Sequence, residues 1–136
     1  MSKVLVLMGS ESDRATMQKG IDVLGEHGVE VEVQVSSAHR DPVRTAELAA
    51  TAEERGFGVV ICGAGLSAAL PGVAAAHTRL PVIGVPISAG TLGGLDALLS
   101  IAQMPPGVPV AAVGIDNAGN AAHLALRILG KSAPAS

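Results

Sequence analysis

Apolar and polar positions switch repeatedly between two periods along the chain. Lys3–Met8 (KVLVLM) is a short, nearly continuous apolar run, the pattern of a strand buried on both faces. Ser12–Gly25 follows with Met17, Ile21 and Leu24 at helical spacing. Val29–Val35 (VEVEVQV) alternates strictly, which gives this strand one polar face and places it near a sheet edge. Pro42–Arg55 predicts a helix, with Asp41 as N-cap and Pro42 at the first helical position. Gly58–Cys62 is a second buried strand, and Ser67–His77 a helix interrupted near its start by Pro71. Pro81–Val85 is strand-like, Gly93–Ile101 helical and Val108–Val113 strand-like. Asn117–Leu129 closes the series as a helix with Ala121, Leu124, Ala125 and Ile128 on one face.

Five βα units in succession predict a parallel five-stranded sheet with helices on both faces, an α/β fold of the flavodoxin-like, three-layer α/β/α type. Without an internal repeat or linker, residues 1–130 are expected to form a single domain, and 131–136 a polar Ala/Pro tail that frays. In open sheets of this kind ligands sit beyond the carboxyl ends of the strands, so the loops there are where chemistry is sought.

Composition narrows the functional classes. The chain has 136 residues, enough for one buried core and few for two. A hydrophobic fraction of 49% excludes intrinsic disorder, and no apolar run reaches the roughly 18 residues needed to span a bilayer. Met1-Ser2-Lys3 leads straight into the first apolar run without a signal-peptide cleavage pattern, so a cytoplasmic location is expected. A net charge of −3 with no basic stripe argues against nucleic acid, as does the absence of Trp and Tyr to stack on bases. Cys62 stands alone, which excludes an internal disulfide, and the four histidines lie at no metal-ligand spacing. Phe57 is the only aromatic residue. A core so poor in large side chains either packs backbones very closely or shares its core with neighbouring subunits. The second is expected, hence a homo-oligomer.

Three loops combine chemistry-bearing residues. After the first strand, Gly9-Ser10-Glu11-Ser12-Asp13 offers hydroxyls and free amides at a helix N-terminus, an anion site. Its structural alternative is a capping box, Ser10-x-x-Asp13. After the second strand, Ser36-Ser37-Ala38-His39-Arg40-Asp41-Pro42 brings together hydroxyl, imidazole and guanidinium. Arg40 presents a planar fork for phosphate, and His39 can exchange protons near neutrality. After the third strand, Gly63–Gly72 is rich in small residues, among them Gly65 and Ser67, and leaves room for a flat ring. Tight helix–sheet packing is the structural alternative there. Together these loops predict proton-transfer chemistry on a phosphorylated small molecule, without metal or redox cofactor. His27, His77 and His123 read as helix residues, and Cys62 as a buried, inert thiol.

The same loops carry a family resemblance. Met8–Asp13 (MGSESD), Ser37–Arg40 (SAHR), Gly63–Gly72 (GAGLSAALPG), Pro81–Pro86 (PVIGVP) and Leu95–Val110 (LDALLSIAQMPPGVPV) resemble the small subunit of phosphoribosylaminoimidazole carboxylase. The resemblance runs from about Val4 to Leu129. Most bacterial members of that family are N5-carboxyaminoimidazole ribonucleotide mutases of purine biosynthesis. The resemblance implies a flavodoxin-like homo-octamer with sites at subunit boundaries, using no metal and no ATP. It implies transfer of a carboxylate from N5 to C4 of the imidazole by release and recapture of CO2. By motif, Ser10, Ser12, Asp13, Ser37 and Arg40 bind the ribose phosphate end, and His39 is the general acid/base. Gly65, Ser67 and Leu70 would line the substrate pocket.

One departure from the pattern bears on the reaction. The bacterial mutases usually carry a His in A-A-H-L-P-G, where this chain has Ala69. Members that carboxylate aminoimidazole ribonucleotide directly with CO2 lack that His and have a Ser comparable to Ser67. Those members usually read S-A-H-K, however, whereas this chain keeps Arg40. Mutase and direct carboxylase therefore both stand at this point, beside a non-catalytic binder of phosphoribosyl ligands. A carboxylase acting on a nicotinate-type dinucleotide is a more distant alternative, which Ala-Leu-Pro-Gly and Ile115-Asp116-Asn117 faintly resemble; the intact SAHR speaks against it.

Overall fold

In the computed structural model, which describes residues 3–132, Lys3–Met8 forms a strand (β1) near the middle of a five-stranded sheet. A single 3-10 turn, Glu11–Asp13, leads into helix α1 (Arg14–Glu26). Strand β2 (Glu30–Val35), helix α2 (Pro42–Ala50), strand β3 (Phe57–Ala64) and helix α3 (Leu70–His77) follow. Strand β4 (Val82–Pro86), helix α4 (Leu95–Ala102), strand β5 (Ala111–Ala112) and helix α5 (Ala118–Leu129) complete the described chain. Every strand pair is parallel and the order is β2-β1-β3-β4-β5, the flavodoxin-like arrangement. The alternating strand β2 lies at an edge, as its polar face requires.

The side-chain alternation of β1 divides the core in two. Val4, Val6 and Met8 point toward α1 and α5, meeting Met17, Leu24 and Leu126. Leu5 and Leu7 point to the opposite face, in a cluster with Ala49 of α2, Ala74 of α3 and Ile101 of α4.

Several boundaries and one buried face differ from those the pattern predicts. The predicted strand Val108–Val113 shrinks to Ala111–Ala112; Pro109 has no amide to donate, so the ladder begins beyond it. Helix α4 starts at Leu95 rather than Gly93, because Gly93 and Gly94 hold φ of 59° and 94°. Helix α3 starts at Leu70 with Pro71 in its first turn, where a missing amide costs nothing. Helix α2 ends at Ala50, and the remainder of the predicted helix is a run of turns. On α5 the buried face is Ala118, Ala121, Ala122, Ala125 and Leu126, with Ile128 at 44% exposure rather than inside. Of the expected tail, residues 133–136 lie outside the described part of the chain.

Glycine and alanine bring backbones into direct contact within the subunit. A Cβ on Gly20 of α1 would stand 2.5 Å from the Ala118 carbonyl oxygen of α5, and one on Gly84 of β4 would stand 2.5 Å from Ile101 Cγ2. Close backbone packing, the first of the two routes open to an aromatic-poor core, is thus in use. At the edge, the Arg55 guanidinium hydrogen-bonds Glu32 of β2 and holds its carboxyl below the usual glutamate range. A lowered folded-state pKa means stability that is present above the ordinary carboxylate range and lost as pH falls through the lowered value. Glu32→Gln should therefore flatten the acid limb of the stability–pH curve in urea titrations.

Candidate active site

The strand order reverses between β1 and β3, since the chain leaves β1 toward β2 and returns on the other side to β3. A crevice opens outside the carboxyl ends of strands at such a point. Here it is a cavity of about 350 Å³ into which the loops after β1, β2, β3 and β4 all project. Its volume suits a small ligand.

The first loop contributes Ser10, Ser12 and Asp13 to the lining. Ser10 Oγ accepts a hydrogen bond from the Ser12 amide at 3.3 Å, and the two hydroxyls lie 2.9 Å apart. Ser10 Oγ caps the 3-10 turn through the Ser12 amide, and Asp13, the residue before α1, makes no side-chain cap bond to that helix. Partial burial pushes the Asp13 carboxyl above its usual range, and a hydrogen bond from the Ser10 backbone acts in the opposite direction. Arg14 does not line the cavity, and its guanidinium is spent on Glu11.

The second loop contributes Ser37, His39 and Arg40. It is a tight turn held from several sides. The Asp41 amide donates to the Ser37 carbonyl at 2.9 Å, and the Arg40 amide to Ser37 Oγ at 3.1 Å. Underneath, Thr45, fully buried, donates to the Asp41 carbonyl at 3.0 Å and lies 2.7 Å from Ser36 Oγ. Asp41 caps α2 through its carboxylate, accepting from the Arg44 amide at 3.3 Å, as the Asp-Pro pair predicts. The turn thus fixes the backbone under His39 and Arg40 while leaving both side chains exposed.

The third loop contributes Gly65, Ser67 and Leu70. Gly65 is required by close approach: a Cβ there would stand 3.3 Å from Ala89 Cβ and 3.4 Å from the Ile87 carbonyl oxygen. Ser67 holds a left-handed backbone with φ of 50°, a conformation costing about 1–3 kcal/mol for a residue with a Cβ. Ala69 also faces the cavity, so the position that distinguishes the mutase pattern lies in the wall.

All nine residues singled out from the sequence line this one cavity. Leu66 and Ala89 line it as well and were not singled out. The available signal for Ala89 was the small-residue stretch Ile87–Gly90 directly after a buried strand. Among the described residues, His39 is the cavity's one imidazole and Arg40 its one cation. The remaining histidines lie elsewhere: His27 and His77 each lie 2.9 Å through Nδ1 from a carbonyl of their own helix, and His123 packs edge-to-face with His27. Cys62 is buried, and burial pushes its thiol far up, which leaves it unreactive. No group of three potential metal ligands occurs among the described residues.

Comparison with known proteins points the same way. The sequence matches the AIR carboxylase family over residues 3–136. It is 60% identical over 129 residues to the N5-carboxyaminoimidazole ribonucleotide mutase of Pyrococcus abyssi, covering 95% of this chain and 74% of that protein. It is 53% identical over 134 residues to the protein of the same name from Thermotoga maritima, covering 98% and 78%. The crystal structure of Treponema denticola PurE superposes with a TM-score of 0.81 at 30% identity, covering 94% of this chain and 80% of that one. With its fold, its cavity and these relatives in agreement, the chain belongs to the AIR carboxylase family.

Proposed function

We propose that this protein is an N5-carboxyaminoimidazole ribonucleotide mutase of de novo purine biosynthesis. The observation that carries this reading is that His39 and Arg40, on one turn, share a cavity with the Ser10–Ser12 hydroxyl pair. Arg40, the hydroxyls and the N-terminal end of α1 form an anion cradle for the ribose phosphate. Asp13 is an acceptor and suits ribose hydroxyls. Gly65, Ser67 and Leu70 form the wall beside a flat ring. His39 then works as general acid and base. It protonates N5 as the C–N bond breaks and CO2 leaves. C4 attacks the retained CO2, a C–C bond forms, and His39 takes the C4 proton. The sum is an isomerisation and requires no metal, redox group or ATP.

A second reading, direct carboxylation of aminoimidazole ribonucleotide with CO2 supplied as bicarbonate, is favoured by Ala69 and Ser67 both facing the cavity. Giving the pure protein each ribonucleotide decides between them. Turnover of the N5-carboxylated compound well above that of aminoimidazole ribonucleotide with bicarbonate is expected. Equal or faster turnover of the latter would replace the mutase assignment with the carboxylase, and turnover of neither would leave a binder. Arg40→Ala should raise the dissociation constant for the ribonucleotide about tenfold or more, as for loss of a charged hydrogen-bonding partner. Unchanged affinity in calorimetry would remove Arg40 from the phosphate cradle.

The reading extends to a cytoplasmic homo-octamer. Leu92, Leu95 and Leu99, along and just before α4, are each at least half exposed, and Leu66 at the cavity mouth is 64% exposed. Apolar groups concentrated there suit burial against another subunit. Light scattering should report a multiple of the 13.5 kDa chain, and a stable monomer would contradict the assembly.

A further inference from the structure

Two segments meet beside the cavity without a role in the chemistry above: 87–94, after β4, and 114–117, between β5 and α5. Asp116 joins them. Its Oδ1 accepts from the Ser88 amide at 2.8 Å and its Oδ2 from the Ser88 hydroxyl at 2.6 Å. Its own amide donates to the Pro86 carbonyl at 2.7 Å. Bonds of this kind to a carboxylate are roughly twice as strong as neutral ones. Asp116 also holds φ of 60°, and Ser67 in the cavity wall is the only other non-glycine among the described residues with positive φ. Such a conformation persists only where its surroundings over-determine it.

What the clamp holds is the fourth wall of the cavity. Ala89 follows Ser88 and lines the cavity directly against Gly65. Gly90 comes next, with Leu66 packed so closely that a Cβ would stand 2.9 Å from Leu66 Cδ2. The segment beyond turns on glycines, since Gly90, Gly93 and Gly94 all hold positive φ. Gly94 fits only because it lacks a Cβ, which would lie 2.7 Å from Ile115 Cγ2 and 3.2 Å from Ser88 Cα. The Asp116 carboxylate thus bonds Ser88, the residue before Ala89, at the point where the glycine-rich segment meets the cavity.

We propose that Asp116 is a positioning residue: through Ser88 it holds Ala89 against Gly65 and thereby fixes the wall facing the substrate ring. The kinetic part of this inference rests on the functional reading above; the structural part does not. Asp116→Gly separates the two features of the residue, because glycine adopts φ of 60° freely and removes only the carboxylate. Asp116→Asn keeps tolerance of that backbone and one oxygen acceptor. With the full chain and whichever ribonucleotide the wild type turns over, Asp116→Gly should raise KM about tenfold, the scale of a lost charge-assisted bond. It should change kcat by less than about threefold, with Asp116→Asn recovering most of the loss. Amide hydrogen exchange should accelerate at Ser88, Ala89 and Gly90 in the glycine variant. Wild-type KM in Asp116→Gly, a loss confined to kcat, or a KM rise with unchanged exchange at 88–90 would each overturn the proposal. So would an Asn variant no better than Gly. If Asp116→Gly does not fold, Ser88→Ala removes one of the two bonds and should raise KM about threefold; unchanged KM there overturns it equally. Should the wild type turn over neither ribonucleotide, the functional reading fails by itself, and exchange at 88–90 still decides the clamp.

Discussion

Replacing His39 by asparagine is expected to lower turnover about 10²–10⁴-fold while ribonucleotide affinity stays within about twofold of wild type. Asparagine keeps a polar, hydrogen-bonding side chain but carries no exchangeable charge near neutrality, so it isolates the proton-transfer role. The surroundings make the comparison clean. The turn beneath His39 is closed by backbone and Ser37 hydroxyl bonds, with Thr45 underneath, and none of these uses the imidazole. His39 is also exposed, so its loss leaves no hole in the core. Because it is the cavity's one imidazole among the described residues, no second histidine is placed to substitute for it. Steady-state rates with calorimetric binding provide the measurement. A variant with the wild-type rate removes His39 from the mechanism, and one that has lost binding as well moves His39 to the substrate-binding set.

Phe57→Ala is expected to destabilise the fold by about 3–5 kcal/mol, the largest stability effect of any single truncation in this core. Phe57 is fully buried at the start of β3 and is the largest fully buried side chain among the described residues. Its ring closes one end of the cluster on the α2–α4 face of the sheet. Lys3 Nζ lies 4.4 Å from the ring centroid and Arg55 Cζ 5.1 Å, so two cations lose their aromatic partner too, each worth about 0.5–1 kcal/mol at exposed sites. The cluster around it is built mainly from Val, Leu, Ile and Ala, and Lys3 and Arg55 carry charges that resist moving into the space the ring leaves. Phe57→Leu fills most of it and should cost about 1 kcal/mol. Urea unfolding monitored by circular dichroism measures both. A cost below that of Phe57→Leu in Phe57→Ala would mean that the site collapses and the aromatic is dispensable.

The lone aromatic also shows how this fold handles its own composition. Whatever core subunits share, within one chain Gly20 brings α1 to the Ala118 backbone of α5 and Gly84 admits the Ile101 side chain against β4. Small residues act here as a packing device. Nothing in a one-dimensional pattern identifies which glycine does so, since the partner atom belongs to a different element, Ala118 of α5 for Gly20 and Ile101 of α4 for Gly84.

The succession of strands and helices was legible because hydrophobic period is a local property, and the chain carries it in every segment. The edge position of β2 was legible in VEVEVQV for the same reason. Nine lining residues were legible because the flavodoxin-like order places the ends of successive strands together, so side chains that look scattered converge. What only the tertiary structure decided depends on neighbours. The buried face of α5 turns to Ala118 and Ala122 because α1 approaches there through Gly20, which leaves Ile128 outside. Ala89 and Leu66 became part of the cavity through Gly65 and Gly90, whose missing Cβ atoms allow two loops to touch. The bond from Ser88 to Asp116 spans 28 positions and exists because β4 and β5 are neighbours in the sheet. Periodicity reports which face of an element is apolar; which other element meets that face, and at what distance, is set by the strand order and the size of the side chains between them.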